Sequence, residues 1–223
     1  TRMIEISKNP NTFIRSTPSR GSLGGISNGT REASIILDAA GYDYIFIETV
    51  GVGQSEVVAS NLVDIFSLIV GPGSGDELQG IKKGITEYAD IFIVNKNDGN
   101  LKIEASKTAA DYKSAISYYK KNEDSSSKEV LLVSAIEQTG MDEVINTIQE
   151  IVLQNKKNNS FEGKRSEQLK FWLSEEVKNI MQLDIQRKID KAGSISHFSD
   201  RIINGDISMY DAIEAITNKL QSE

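Results

Sequence analysis

The chain has 223 residues, 25 basic and 32 acidic side chains, a formal net charge of −7 and 39% hydrophobic residues. That length holds one domain of ordinary size with an appendage, and that apolar share can build a core. The acidic balance argues against nucleic acid or an anionic membrane as partner. The lack of cysteine excludes disulfides and thiolate zinc sites, and no apolar run reaches the roughly eighteen residues of a bilayer span. No signal-peptide pattern opens the chain, and the expected location is the cytoplasm.

In chain order, residues 12–15 read as a first short strand. Ala33, Ile36, Leu37 and Ala40 form the apolar face of a helix that stops at Gly41, a natural C-terminal cap. Residues 44–47 and 65–70 are further strand runs. Leu78, Ile81, Ile85 and Tyr88 mark a helix, residues 91–94 a strand, and Ala109, Tyr112, Ile116 and Tyr119 another helix. Residues 129–133 give the fifth strand, and Val144, Ile145, Ile148, Ile151 and Val152 the helix after it. Alternating helices and short continuous apolar strands predict an α/β fold with a doubly wound, mostly parallel sheet over residues 1–153. The polar stretch from Gln154 to Ser160 reads as a linker, and 154–223 as a helical region without strands. There Leu169, Trp172, Leu173, Val177, Ile180 and Leu183 line one long helix, and Ser208-Met209-Tyr210-Asp211 is a capping-box pattern opening the last.

Ligands of such sheets bind beyond the carboxyl ends of the strands. Asn95-Lys96-Asn97-Asp98 follows the strand 91–94 directly and has the pattern of a guanine-specificity loop. A carboxylate only accepts hydrogen bonds, and guanine offers adjacent N1–H and N2–H2 donors where adenine offers an acceptor beside a donor. Two charge-assisted bonds at roughly 1.5–3 kcal/mol each separate GTP from ATP by about three orders of magnitude or more. An Asn-rich turn gives the same letters, so the loop needs companions. Glu48-Thr49-Val50-Gly51 ends the run 44–47, where an acidic residue can hold Mg2+ and the Gly51 amide can meet a γ-phosphate. Ser134-Ala135-Ile136 follows the last strand as a small-residue turn whose backbone N–H groups can face the guanine O6. The tips at Glu48, Asn95 and Ser134 are expected to converge on one crevice.

The segment Glu48-Thr49-Val50-Gly51-Val52-Gly53-Gln54-Ser55-Glu56, followed by the glycine-rich stretch 71–84, resembles the P-loop GTPases that chaperone adenosylcobalamin-dependent methylmalonyl-CoA mutase. Older names for this family are lysine/arginine/ornithine transport ATPases or kinases. The resemblance also covers Phe13-Ile14-Arg15, Gly21-Ser22-Leu23-Gly24-Gly25 and Thr30-Arg31-Glu32, and continues more weakly through Gly163-Lys164-Arg165. It implies GTP as substrate, Mg2+ as cofactor, the mutase as partner, adenosylcobalamin only through that partner, and a homodimer built on the helical region. The stretch 71–84 becomes a switch loop with Asp76 and Lys82 at its functional positions: Lys82 stabilises charge on the transferred phosphoryl and Asp76 orients it. A solvated Lys82 on a helix surface is the alternative. Gln54 either orients the attacking water or caps the backbone. Asn95, Lys96, Asp98, Ser134, Ala135, Ile136 and Gly51 are the expected nucleotide contacts.

Family members also carry a phosphate-binding G-x-x-x-x-G-K-[ST] loop upstream of the segment that matches Thr1. Here Gly163-Lys164-Arg165 alone resembles it, without the glycine spacing or the Ser/Thr. The chain is therefore expected to be a fragment, binding GTP weakly and incomplete as a sheet when isolated. Besides a GTPase, a nucleotide-independent interaction module and the transport ATPase or kinase label stand as alternative functions. His197, the sole histidine, reads as structural or solvated.

Overall fold

The structure is a computed structural model, which describes residues 3–17, 28–49, 56–74, 88–120, 128–192 and 194–221. Among these, three strands form one parallel sheet in the order β1 (Ser67–Val70), β2 (Ile91–Val94), β3 (Glu129–Leu132). Ser67 pairs with Ile91 and Ile91 with Glu129, so the three strands run in register. All four residues of β2 are buried, as expected of a strand covered on both faces.

Side-chain alternation explains the two layers. Phe92 and Val94 point to one face, where Leu68, Val130, Ala105, Ala109, Tyr112 and Ile116 complete a core. Val130 belongs to β3, and the last four to helix α4 (Lys102–Lys120). Ile91 and Ile93 point to the other face with Leu131 and Val133, where Val144, Ile148 and Ile151 of helix α5 (Met141–Lys157) pack. A helix on each face of a parallel sheet is the doubly wound α/β arrangement read from the sequence. Helices α1 (Ile4–Ser7), α2 (Asn28–Ala39) and α3 (Glu56–Ser60) precede the sheet. Gly41, with φ +86°, follows α2 as the expected left-handed terminator.

Two expected strands are absent. Residues 12–15 and 44–47 have no ladder partner among the described residues, and Tyr44 and Phe46 are exposed. A strand exists only as a member of a ladder, so apolar content without a paired neighbour does not make one. The expected helix through Leu78, Ile81 and Ile85 lies outside the described residues.

The polar stretch after residue 153 is helical, not a linker. Helix α5 continues to Lys157, whose charge and that of Lys156 suit a helix C-terminus. Asn159, at φ +59°, breaks the chain, and the Asn158 side chain accepts the Ser160 N–H as helix α6 (Ser160–Ala192) begins. Polarity there reflects an exposed surface. The chain divides into two compact units, residues 1–165 and 166–223. The second contains most of α6, helix α7 (Ser194–Ile203) and helix α8 (Met209–Gln221); its buried residues include Trp172, Phe198 and Ala212.

At the amino ends of β1 and β2, Asp90 Oδ2 accepts the Phe66 N–H at 2.8 Å and the Lys164 ammonium at 3.3 Å. Arg165 grips Asp64 through two bonds of 2.9 and 2.8 Å, and this partner raises the guanidinium pKa further above its ordinary value. Lys164 and Arg165 thus anchor the start of α6 at the amino ends of the strands, opposite the loops that follow β2 and β3.

Candidate functional site

The carboxyl ends of β2 and β3 meet in two connected loops. After Val94, the Asn95 N–H donates to Val70 O at 2.9 Å, and the Asn97 N–H to Val133 O at 3.0 Å. These bonds extend the ladder one step past the strands and fix the loop 95–98 to both neighbours. Lys96 between them is exposed and takes φ +63°, a left-handed conformation rare for a non-glycine residue. Such strain persists only where surrounding contacts impose it, which here are the bonds of Asn95 and Asn97.

Side chains close the site. Asn95 Oδ1 accepts N–H groups from Lys96 at 2.7 Å and from Ala135 at 3.2 Å, joining the two loops. Ser134, fully buried, donates its hydroxyl to Asp98 Oδ2 at 2.6 Å and accepts the Glu137 N–H at 3.0 Å. Asp98 itself is half-buried, and Lys102 and Glu137 form a 3.5 Å ion pair at the rim. Each carboxylate oxygen has two lone-pair directions, so a single bond from Ser134 fixes the group and leaves capacity for a ligand's donors.

The turn after β3 is folded by its own backbone. Ser134 and Thr139 exchange N–H to C=O bonds of 3.1 and 3.2 Å, closing a small loop that ends at Gly140. Gly140 has φ +77°, and a Cβ there would lie 2.3 Å from Leu132 O, so only glycine fits. This arrangement revises one expectation: the Ser134 N–H is spent on Thr139. The Ala135 N–H is engaged by Asn95 Oδ1, and Ile136 is 83% exposed.

The structure therefore brings Asn95, Lys96, Asp98, Ser134, Ala135 and Ile136 together. Glu48 is exposed, lies outside any helix or strand, and makes no hydrogen bond to that group among the described residues. Gly51, Gln54, Asp76 and Lys82 lie outside the described residues. For Mg2+, the described residues hold no group of three His, Cys, Asp or Glu side chains. A single exposed carboxylate such as Glu48 fits the way Mg2+ is held beside nucleotide phosphates, with one or two carboxylates and the rest phosphate and water. Sequence reading missed the roles of the Ser134 hydroxyl and the Asn95 amide oxygen. A hydroxyl at one strand tip facing a carboxylate at the next was the available signal.

A sequence profile of the family described as Methylmalonyl Co-A mutase-associated GTPase MeaB matches residues 1–190. The methylmalonic aciduria type A homolog, mitochondrial, of Caenorhabditis elegans is 38% identical over 204 residues, 92% of this chain and 50% of that protein. GTPase ArgK of Escherichia coli is 42% identical over 148 residues, 66% of this chain and 45% of that one. The chain spans about half the length of these curated relatives. A crystal structure of a LAO/AO transport system kinase superposes with a TM-score of 0.69 at 27% identity, covering 97% of this chain and 68% of the other. By these matches, the chain belongs to the methylmalonyl-CoA mutase-associated GTPase family.

Proposed function

We propose that the protein to which this chain belongs is a GTPase that reads guanine through the loops after β2 and β3 and acts as a chaperone for adenosylcobalamin-dependent methylmalonyl-CoA mutase. The observation that carries the guanine reading is Asp98, half-buried at a strand tip and held by the buried Ser134 hydroxyl at 2.6 Å. Its carboxylate accepts N1–H and N2–H2 of the base, and the amide of Ala135 or Ile136 donates to O6. Because these groups are positioned before the ligand arrives, little ordering cost is left to binding. Lys96, with its backbone turned by φ +63°, lays its aliphatic stem along the base.

Glu48 would hold Mg2+, with the Gly51 amide at the γ-phosphate, Gln54 at the attacking water, and Lys82 with Asp76 at the transferred phosphoryl. Mg2+, when bound, offsets negative charge on the phosphates. The partner assignment rests on the family and on the relatives' names, and adenosylcobalamin enters only through that partner. The protein is expected in the cytoplasm as a homodimer joined by the helical region 154–223, with 1–153 as the nucleotide-binding region.

The test is GTP turnover by the full-length protein, alone and with the mutase. Turnover is expected to rise on adding the mutase. Lys82→Ala is expected to abolish that rise and leave intrinsic hydrolysis almost intact; equal loss of both rates removes the coupling role of Lys82, and no GTP turnover in either condition removes the function.

A further inference from the structure

Among the described residues, side chains tie the segment 95–102 to the turn after β3 in three places. Two ties are hydrogen bonds, from the Ala135 N–H to Asn95 Oδ1 and from the Ser134 hydroxyl to Asp98 Oδ2. The third is ionic, with Lys102 Nζ 3.5 Å from Glu137 Oε2. Both of its members stand against local preference. Lys102 is the first residue of α4, where the positive end of the helix dipole disfavours a cation. Glu137 precedes Gln138, whose φ of +55° is left-handed backbone on a non-glycine residue. That bend returns the chain so that Thr139 pairs with Ser134, and it leaves Glu137 beside Lys102. Departures of this kind gather at functional sites.

The ion pair lies one step from the carboxylate assigned to guanine. The Ser134 hydroxyl oxygen accepts the Glu137 N–H at 3.0 Å and donates to Asp98 Oδ2 at 2.6 Å. From the other side, Asp98 leads through a 3-10 turn (Gly99–Leu101) directly into Lys102. Attraction between Lys102 and Glu137 therefore draws together the two segments that carry Asp98 and Ser134. We propose that Lys102 and Glu137 are positioning residues of the nucleotide site: their ion pair clasps the loops after β2 and β3 around the base and slows nucleotide release. This inference rests on the proposed GTPase function.

The test is release of N-methylanthraniloyl-GDP from the full-length protein, chased with unlabelled GDP, since a contact that holds loops closed acts on the dissociation rate. Glu137→Lys and Lys102→Glu each set like charges face to face. Each is expected to speed release roughly three- to tenfold, the loss of one exposed attraction plus a repulsion of similar size. The two variants change the net charge in opposite directions, so a shared effect does not come from long-range attraction of the phosphates. The double swap Lys102→Glu/Glu137→Lys restores the pair with its polarity reversed and is expected to return release to within about twofold of wild type. Wild-type release in either single variant overturns the proposal, as do opposite effects of the two and a double swap that does not recover. Faster release that tracks a fall in melting temperature also overturns it, since that marks packing alone. In each of these cases a wild type that binds the nucleotide leaves the functional reading standing. A wild type that binds no labelled GDP overturns that reading, and this clasp with it.

Discussion

Asp98 and Ser134 form a pair in which each residue has a separable part. In the proposed guanine site the carboxylate would select the base, and the hydroxyl at 2.6 Å keeps the carboxylate in place. Ser134→Ala is expected to weaken GTP binding roughly 10–100-fold, the range of one hydrogen bond to a charged group, while preserving preference for GTP over ATP. Calorimetric titration with both nucleotides checks this. Gly140 meets a stricter constraint, since its added Cβ would collide with backbone at Leu132. Gly140→Ala is expected to destabilise the fold by on the order of 2–4 kcal/mol, read from urea denaturation. The place of the loop 95–98 was legible in sequence because it follows a continuous apolar strand run, and it lies at that strand's carboxyl end. The Asn95 to Ala135 bond joins residues forty apart, and no local pattern announces it.

Among the elements, strands β1 to β3 and helices α4 and α5 follow from apolar runs and periodicity, because each buries the face that its sequence marks. Residues 44–47 carry the same kind of run and form no strand, since pairing is a property of the neighbour as well. The capping box at Ser208 was legible and is formed: Ser208 Oγ accepts the Asp211 N–H at 3.2 Å, and Asp211 Oδ2 accepts the Ser208 N–H and hydroxyl at 3.0 and 2.7 Å. Those two donors, the hydroxyl first, lower the Asp211 pKa from its ordinary 3.8. A folded-state pKa below the unfolded one stabilises α8 above pH 3.8, and the contribution is lost as the pH falls through the folded value. Ser208→Ala is expected to speed amide exchange in the first turn of α8 several-fold at neutral pH and to remove most of its acid sensitivity. Equal exchange in the two proteins would contradict the cap's contribution.

At the scale of the molecule, the second unit leaves an apolar stripe uncovered. Leu169, Leu173, Val177, Ile180 and Leu183 of α6 fall within about a third of the helix circumference and are each about half exposed or more. The proposed homodimer covers this stripe. Leu173→Glu is accordingly expected to convert a dimer to monomer in sedimentation velocity, and a monomeric wild type would contradict it. The measurement that bears most directly on the whole account is nucleotide selection by the full-length protein, before and after Asp98→Asn. The wild type is predicted to bind GTP at least about a thousandfold more tightly than ATP, and Asp98→Asn to move the preference to xanthosine triphosphate, whose C2 carbonyl accepts from the new amide. Equal affinity for GTP and ATP, or a GTP preference untouched by the substitution, would contradict the assignment of this loop as the guanine reader.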